Sequence, residues 1–367
     1  MKRMVKKEVP GGNAAWVLRV PKTEGQKVKD WLIQNGHYND AFFLKEENNT
    51  LLLPLNDPSF FKGAQEGGEK VAGVSGVCIV SAELTPREKK ATTLRASLKN
   101  ILEQEELSHL KTAFDVIGSI AILEIDEPLV SKERAIGEAL LSLNPSIKTV
   151  LKKQDIHAGV FRTQKLSFVA GTDTRKTIHK ENNVLLALDV EKVYFSPRLS
   201  RERRRIASLV QPGENVLVMF SGCGPYTCVI AKNSDAASVT GIELNPVAHS
   251  YALENVAKNK LAIIECILGD VRTVVPKIKK SFDRILMPLP KSAEDFLDTA
   301  LGAAHLGTIL HFYDFLGKDE LWKAHEKIKK ACRTNKDGCT HYTILKTITC
   351  GQFSPRVYRV CVDFRVE

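Results

Sequence analysis

The sequence has no long hydrophobic run, no secretory signal and no cysteine spacing of the zinc-finger type. Its longest apolar stretches, residues 117–125 and 184–188, fall far short of the roughly 20 residues that a membrane helix needs. The basic start of the chain leads into no hydrophobic signal core. A helical membrane protein and a secreted disulfide scaffold are therefore excluded, and we expect a soluble, cytoplasmic and monomeric protein.

The cysteines are few and scattered, with eight in 367 residues. Four stand in apolar, strand-like runs, which predicts buried free thiols at Cys78, Cys266, Cys350 and Cys361. The others lack the paired spacing of a structural zinc site. We therefore expect no bound metal ion.

Acidic residues are in the minority, with 43 aspartates and glutamates against 53 lysines and arginines. The excess is local, because residues 146–206 hold 14 basic side chains and only 6 acidic ones. Such a stretch is typical either of a surface that meets a phosphate backbone or of a solvated basic face. The hydrophobic share of 43% and the charged share of 26% exclude a mostly disordered chain.

The N-terminal half predicts two small units. Residues 1–60 predict an α/β module, with a strand at 15–20, a helix at 26–34 and a hairpin from 41–44 and 50–55. Prolines and glycines then indicate a linker, placed at residues 61–80. Residues 81–190 predict an α+β domain, with helices at 94–110 and 131–143 and strands at 113–117, 120–125, 149–151, 161–169 and 184–188.

Residues 191–367 predict an α/β domain. A basic helix at residues 200–209 precedes its first strand. Strand, loop and helix then alternate, with strands at 216–220, 239–244, 263–268, 282–287, 308–312, 343–349 and 358–364. The alternation predicts a mostly parallel sheet with helices on both faces. The last two strands lack a helix between them and predict an antiparallel hairpin at one edge. Seven strands with that ending describe the class I, Rossmann-like methyltransferase fold.

Three segments of this domain predict a nucleotide-type ligand. Gly222 and Gly224 form a turn that lets a ligand approach the backbone and the free amides of the next helix. Glu243 ends the second strand, 21 residues after Gly222, where an acid can accept hydrogen bonds from a ribose. Asp270 ends the third strand, beside the expected adenine. The arrangement favours S-adenosylmethionine over a dinucleotide, because no second glycine-helix unit is present.

Six segments together resemble the archaeal and eukaryotic tRNA guanine-37 N1-methyltransferases. They are YFSPRL at 194–199, ER at 202–203, FSGCGP at 220–225, ELNP at 243–246, GDVR at 269–272 and FSPRVY at 353–358. The resemblance is specific from residue 161 onward, whereas the first 150 residues match mainly in layout. It implies methyl transfer from S-adenosylmethionine to N1 of guanosine 37 in a tRNA anticodon loop. It also implies an RNA-binding middle domain and an N-terminal module that senses tRNA shape.

The resemblance implies the following roles for residues of this chain. Glu202 matches the general base that removes the N1 proton, and Arg162 matches the cation that holds O6. The donor site is expected to include Tyr194, Arg198, Met219, Phe220, Gly222, Gly224, Glu243, Leu244, Asp270, Val271, Pro288 and Pro290. Backbone contacts to RNA are expected mainly from the arginines of 198–205, with Arg198, Arg201, Arg203, Arg204, Lys165 and Arg356 as RNA-binding candidates. Without the resemblance, Glu202 would be interpreted as a carboxylate paired with neighbouring arginines.

Two positions depart from the family pattern, and two other functions stay open. Val218 stands where the family usually has an acid, and Pro288 replaces the asparagine of an Asn-Leu-Pro motif. One alternative is transfer of the aminocarboxypropyl group, or a further methyl group, to a tricyclic guanine derivative at position 37. The other is a non-catalytic tRNA-binding protein.

Overall fold

The computed structural model describes residues 14–61, 70–87, 92–154, 159–334 and 341–367, and forms two compact units that divide after Ala91. None of the helices in these ranges combines the length and the apolar character needed to cross a membrane. Seven cysteines are described as free thiols; Cys361 is buried as expected, whereas Cys78, Cys266 and Cys350 are half-buried.

The first unit is a four-stranded antiparallel sheet with one helix against it. Its elements are β1 (Ala14–Pro21), α1 (Gly25–Gln34), β2 (Lys45–Glu47), β3 (Thr50–Pro54) and β4 (Cys78–Glu83), and the strand order is β2-β3-β1-β4. Apolar residues spaced along α1, such as Val28 and Leu32, are fully buried with Leu18 and Leu53 of the sheet.

Two sequence predictions for this unit are wrong. The hairpin partner of β3 is β2, and residues 41–44 form no strand, only an isolated bridge between Phe42 and Pro86. The domain start predicted at residue 81 falls inside β4, which pairs with β1 along six residue pairs and belongs to the first unit. Part of the predicted linker, residues 62–69, lies outside the described residues.

The second unit begins with the α+β domain. Its elements are α2 (Leu94–Ser97), α3 (Gln104–His109), β5 (Asp115–Ile117), β6 (Ile120–Leu123), α4 (Glu133–Leu143), β7 (Thr149–Lys153) and β8 (Leu166–Gly171), followed by the hairpin of β9 (Lys176–Glu181) and β10 (Val184–Asp189). The sheet order is β5-β6-β7-β8. The single helix predicted at 94–110 is two short helices, and residues 161–165 precede β8 rather than belonging to it.

The last domain is built on a mixed seven-stranded sheet. Its elements are α5 (Ser200–Leu209), β11 (Asn215–Val218), α6 (Pro225–Asn233), β12 (Ser238–Glu243), α7 (Pro246–Asn259), β13 (Ile264–Leu268), α8 (Val271–Val274), β14 (Phe282–Met287), α9 (Leu297–Leu301), β15 (Ala304–Gly317), α10 (Trp322–Thr334), β16 (Tyr342–Ser354) and β17 (Val357–Val366). The order is β13-β12-β11-β14-β15-β17-β16. The first five strands run parallel, and the antiparallel hairpin of β16 and β17 closes one edge, as predicted.

Both faces of this sheet are covered. Val216 and Val218 of β11 pack into one apolar cluster, and Leu217 and Met219 pack into another on the opposite face. A strand that is buried on both faces has apolar residues at successive positions. An apolar Val218 is therefore accommodated in β11.

Candidate active site

The turn after β11 has a backbone that only glycine adopts without strain. Gly222 and Gly224 have φ angles of 56° and 85°, and Pro225 opens α6 directly behind them. A Cβ atom on Gly222 would lie in ordinary van der Waals contact with the Tyr194 carbonyl oxygen, at 3.8 Å, so glycine is required here by the backbone conformation and not by a steric clash. The turn therefore offers a ligand close access to the backbone at the start of α6.

Glu243 fixes this turn to the end of β12. Its Oε2 accepts a hydrogen bond from the Gly222 amide at 2.6 Å, and its Oε1 accepts one from the Asn245 amide at 2.8 Å. Burial raises the pKa of the Glu243 carboxyl above its ordinary value, although these backbone hydrogen bonds act in the opposite direction. A carboxylate has about four acceptor positions, so the group retains capacity for a ligand hydroxyl.

Asp270 begins α8 as its N-cap and accepts a hydrogen bond from the Arg272 amide at 2.9 Å. The Arg272 guanidinium also donates to it at 2.6 Å, and this hydrogen bond lowers the pKa of the Asp270 carboxyl. Arg272 lies over the ring of Phe296, which contacts Phe220 edge-on at 5.0 Å between centroids. A charged and aromatic wall thus stands at the end of β13.

The other predicted donor-site residues gather at the same sheet edge, because the carboxyl ends of neighbouring parallel strands meet there. The side chains of Met219 and Val271 are buried in the core, so they have no surface for a ligand. Leu244 is exposed, and Phe220, Pro288 and Pro290 are half-buried. Pro288 has no side-chain amide, and the carbonyl of Met287 before it accepts a hydrogen bond from the Leu289 amide at 2.8 Å.

A cavity of about 170 Å³ lies next to this edge, between the α+β domain and the methyltransferase-like sheet. Its walls come from β5, from the segment 193–199 and from the end of β16. The carbonyl oxygen of Tyr194 faces the glycine turn, and its hydroxyl accepts a hydrogen bond from Arg359 Nη2 at 3.0 Å. Tyr194 therefore lies between the nucleotide-type site and the cavity.

Glu202 is buried at the start of α5 and accepts three hydrogen bonds. Arg205 donates to both carboxylate oxygens at 2.7 Å, and the Tyr313 hydroxyl donates to Oε1 at 2.6 Å. Burial holds the pKa of Tyr313 well above its usual value, so the phenol stays protonated and donates. The arginine pairing expected from the sequence is present, and three donors leave about one of the four acceptor positions open.

Glu202 belongs to a chain of buried charges that the sequence analysis did not identify. Arg205 also donates to Asp363 at 2.7 Å, and Asp363 contacts His311 Nδ1 at 2.6 Å. Arg284 lies 2.8 Å from the other ring nitrogen of His311 and forms an ion pair with Glu214. The signal in the sequence was a polar residue inside an apolar strand, as at His311 in β15 and Asp363 in β17.

The chain of buried charges determines the tautomer and the charge of the His311 imidazole. Arginine only donates hydrogen bonds, so the Nε2 atom that faces Arg284 is the acceptor, and Nδ1 carries the proton and donates to Asp363. The imidazole is therefore neutral, in agreement with the burial that lowers its pKa. His311, Cys361 and Asp363 bring three metal-ligating atoms within 4.8 Å, but Arg205 donates to the last two and supplies the positive charge there.

The arginines of α5 fall on two faces. Arg201 and Arg204 are exposed, as an RNA contact requires. Arg203 is only 1% exposed, donates to Glu181 at 2.6 Å and lies against the Phe195 ring, so its predicted RNA contact is wrong. Arg205 is likewise committed to the buried carboxylates.

The remaining candidates lie on or near the surface. Arg198 donates to both oxygens of Asp115, at 2.7 and 3.1 Å, and joins the two domains beside the cavity. Arg162 is half-buried in a turn with a φ of 53°, and Lys165 and Arg356 are exposed. Five of the six predicted RNA-binding residues are therefore exposed: Arg198, which pairs with Asp115, and Lys165, Arg201, Arg204 and Arg356.

The chain is similar to known proteins along most of its length. Residues 177–340 match the family described as the TRM5/TYW2 methyltransferase domain, and residues 94–174 match the TYW2 N-terminal domain. The tRNA (guanine(37)-N(1))-methyltransferase Trm5b of Pyrococcus abyssi is 35% identical over 95% of this chain and 98% of its own length.

Two further relatives bear on the function. A solved complex of aTrm5 with tRNALeu has a TM-score of 0.79 and 29% identity, covering 96% of this chain and 99% of the other. The tRNA(Phe) (4-demethylwyosine(37)-C(7)) aminocarboxypropyltransferase of Methanocaldococcus jannaschii is 32% identical over 57% of this chain and 82% of its own length. From the family match and the 35% identity along nearly the whole chain, this protein belongs to the TRM5/TYW2 methyltransferase family.

Proposed function

We propose that this chain transfers a methyl group from S-adenosylmethionine to N1 of guanosine 37 in tRNA. The observation that carries the proposal is the cavity lined by the α+β domain and by Tyr194, whose carbonyl oxygen faces the glycine turn. A nucleoside donor at the turn and a base flipped into the cavity would then lie side by side. The Pyrococcus relative, similar along its whole length, carries this activity in its name.

The residues present fit S-adenosylmethionine. The glycine turn at the start of α6, the acceptor capacity of Glu243 and the aromatic wall beside Asp270 suit the amino acid, ribose and adenine parts of such a nucleoside. The sulfonium, when bound, supplies an electrophilic methyl carbon. The protein's own task is to place a guanine next to that carbon and to remove its N1 proton.

Glu202 is proposed as the group that receives the N1 proton. The N1 lone pair of neutral guanine is delocalised, so proton removal must accompany methyl transfer. Arg205 and Tyr313 orient the Glu202 carboxylate and leave about one acceptor position for the incoming proton. The oxygen O6, on which negative charge develops, is assigned to Arg162.

Four exposed cations would hold the RNA. Arg201 and Arg204 project from the outer face of α5, and Lys165 and Arg356 lie on the segments before β8 and between β16 and β17. Contacts of these side chains with phosphates would fix the loop without reading its sequence. A single-stranded loop is the natural target, because its bases are splayed out without breaking a duplex.

Mass mapping of the product tests the function. We expect that unmodified tRNA with G37 gains one methyl group at that nucleotide when incubated with the protein and S-adenosylmethionine, whereas the same tRNA with A37 gains none. An unmethylated G37 transcript under saturating donor would contradict the proposal.

The same experiment separates the second candidate function. The match of residues 94–174 to the TYW2 N-terminal domain and the Methanocaldococcus relative favour aminocarboxypropyl transfer as that candidate. A tRNA that carries the tricyclic intermediate would then gain the heavier aminocarboxypropyl group, and G37 would stay unmodified.

The first unit is proposed to contact a part of the tRNA away from the anticodon loop. We expect a chain without residues 1–91 to lose kcat/KM on full tRNA while keeping its rate on an anticodon stem-loop. The boundary follows the division after Ala91, so that the cut leaves the sheet of the first unit undivided. Donor binding by calorimetry checks that the remaining chain is folded, and equal activity of both proteins on full tRNA would contradict the role.

A further inference from the structure

Arg359 is a buried cation with an unsatisfied donor. It is 9% exposed on β17, lines the cavity, and its Nε has no hydrogen-bond partner among the described residues. Its Nη2 donates to the Tyr194 hydroxyl, and its guanidinium carbon lies 5.2 Å from the centroid of the Phe315 ring. Leaving a charged donor unpaired in a buried place is unfavourable, so the geometry calls for an acceptor supplied by a ligand.

The surroundings of Arg359 suit a planar ligand. Phe315 stacks on Phe353 with 4.0 Å between ring centroids and 28° between planes. Phe353 is itself 59% exposed and lines the cavity, so it presents a free aromatic surface at the entrance. An aromatic surface outside and an unpaired donor inside together match a nucleobase with an acceptor atom on its edge.

The strand register places Arg359 on the sheet face that Glu202 and Arg205 of α5 contact. Arg359, Cys361 and Asp363 alternate along β17, opposite Phe315, Tyr313 and His311 of β15. Alternate residues share one face of a sheet and are separated by roughly 7 Å. Tyr313 donates to Glu202 and Cys361 Sγ accepts from Arg205, so Arg359 stands one such step along β17 from Cys361, whose strand partner Tyr313 contacts the proposed base.

We propose that Arg359 donates a hydrogen bond from Nε to N7 of the target guanine and thereby turns N1 toward Glu202. The inference rests on the proposed function and adds a substrate-binding residue to it. The N7 atom is an acceptor on the purine edge remote from N1, and an arginine is the commonest specific partner of that edge of guanine. One purine would then bridge the Arg359 cation on the sheet and the Glu202 carboxylate of α5.

A double cycle tests the contact: it combines one substitution in the protein with the replacement of one atom in the RNA. The wild type and the Arg359→Met variant are each measured on tRNA with G37 and on the same tRNA with 7-deazaguanosine at position 37, which lacks N7. We expect the wild type to lose about 10-fold to 100-fold in kcat/KM on the 7-deaza substrate, as for a hydrogen bond to a charged group. The variant should lose a similar factor on G37 and lose nothing more on the 7-deaza substrate.

Arg365→Met is the matched control, because Arg365 lies on the same strand but is exposed and pairs with Glu367. It should behave as the wild type on both substrates. Equal wild-type kcat/KM values on the two substrates would overturn the contact. So would a full additional loss when the variant acts on the 7-deaza substrate, because the two changes would then act independently. If that additional loss came with weaker binding of S-adenosylmethionine, Arg359 would be a residue of the methyl-donor site instead. If Arg359→Met does not fold, the wild-type comparison still decides whether N7 is contacted. Failure of the proposed function would instead show as no methylation of G37 at all.

Discussion

Replacing Glu202 by glutamine is expected to lower the rate of methyl transfer by about 10²-fold to 10⁴-fold, the usual contribution of a positioned general base. Glutamine keeps the length of the side chain and an acceptor for the Tyr313 hydroxyl, but it cannot take up the N1 proton. Donor affinity should stay near that of the wild type, because Glu202 lies outside the glycine turn that Glu243 holds.

The measurement is a single-turnover rate with enzyme and donor in excess, at a temperature where each variant is folded. A loss of rate alone would not distinguish a base from a scaffold, because the substitution also removes the partner of Arg205. Glu214→Gln is the matched control, since Glu214 forms an equally short ion pair with Arg284 at the far end of the same buried chain. Both variants should be less stable, but only Glu202→Gln should lose the chemical step. Equal losses of rate in the two, or an unchanged rate in Glu202→Gln, would remove Glu202 from the role of base.

The local sequence was sufficient to predict the elements that carry the nucleotide-type site. The helix at residues 200–209 and the strand at 282–287 have the predicted bounds. Gly222, Glu243 and Asp270 are brought to one sheet edge, because a strand, a turn and a helix follow each other within a few residues each time. Sequence patterns of this kind lie within short segments, so these elements can be predicted without knowledge of the tertiary structure.

Features that depend on distant pairing were not predictable in the same way. The strand β9 has a single apolar residue, Ile178, among polar and charged ones, and it was missed between two more hydrophobic strands. Arg205 was expected at the surface with its neighbours, but it pairs with Asp363, 158 residues away. Helix periodicity can place a residue on a buried face, whereas the identity of its partner depends on the register between β15 and β17.

The same buried chain predicts a large effect on stability. Asp363→Asn is expected to lower the free energy of unfolding by about 3–5 kcal/mol, the usual cost of removing one partner from a buried ion pair. Asp363 accepts hydrogen bonds from both Arg205 and His311, and an asparagine leaves the Arg205 charge without its second carboxylate. Urea unfolding at pH 7 measures the loss, with Glu254→Gln as control, because the half-exposed pair of Glu254 with Lys258 on α7 should contribute less than about 0.5 kcal/mol.

The pH dependence of this loss tests its electrostatic origin. Burial opposes ionisation of Asp363, but hydrogen bonds from His311 and Arg205 outweigh it and hold the pKa of the carboxyl well below its usual range. The neutral His311 acts on the carboxylate as a hydrogen-bond donor, and Arg205 adds a second hydrogen bond together with its charge. A carboxyl with a lowered folded-state pKa stabilises the fold above its unfolded pKa of about 3.9, and the contribution disappears as the pH falls below that value. The wild type and Asp363→Asn should therefore differ most near pH 7 and converge as the pH falls from about 4 toward 2. A difference that is absent at pH 7, or that stays constant down to pH 2, would show that the Asp363 charge does not stabilise this fold.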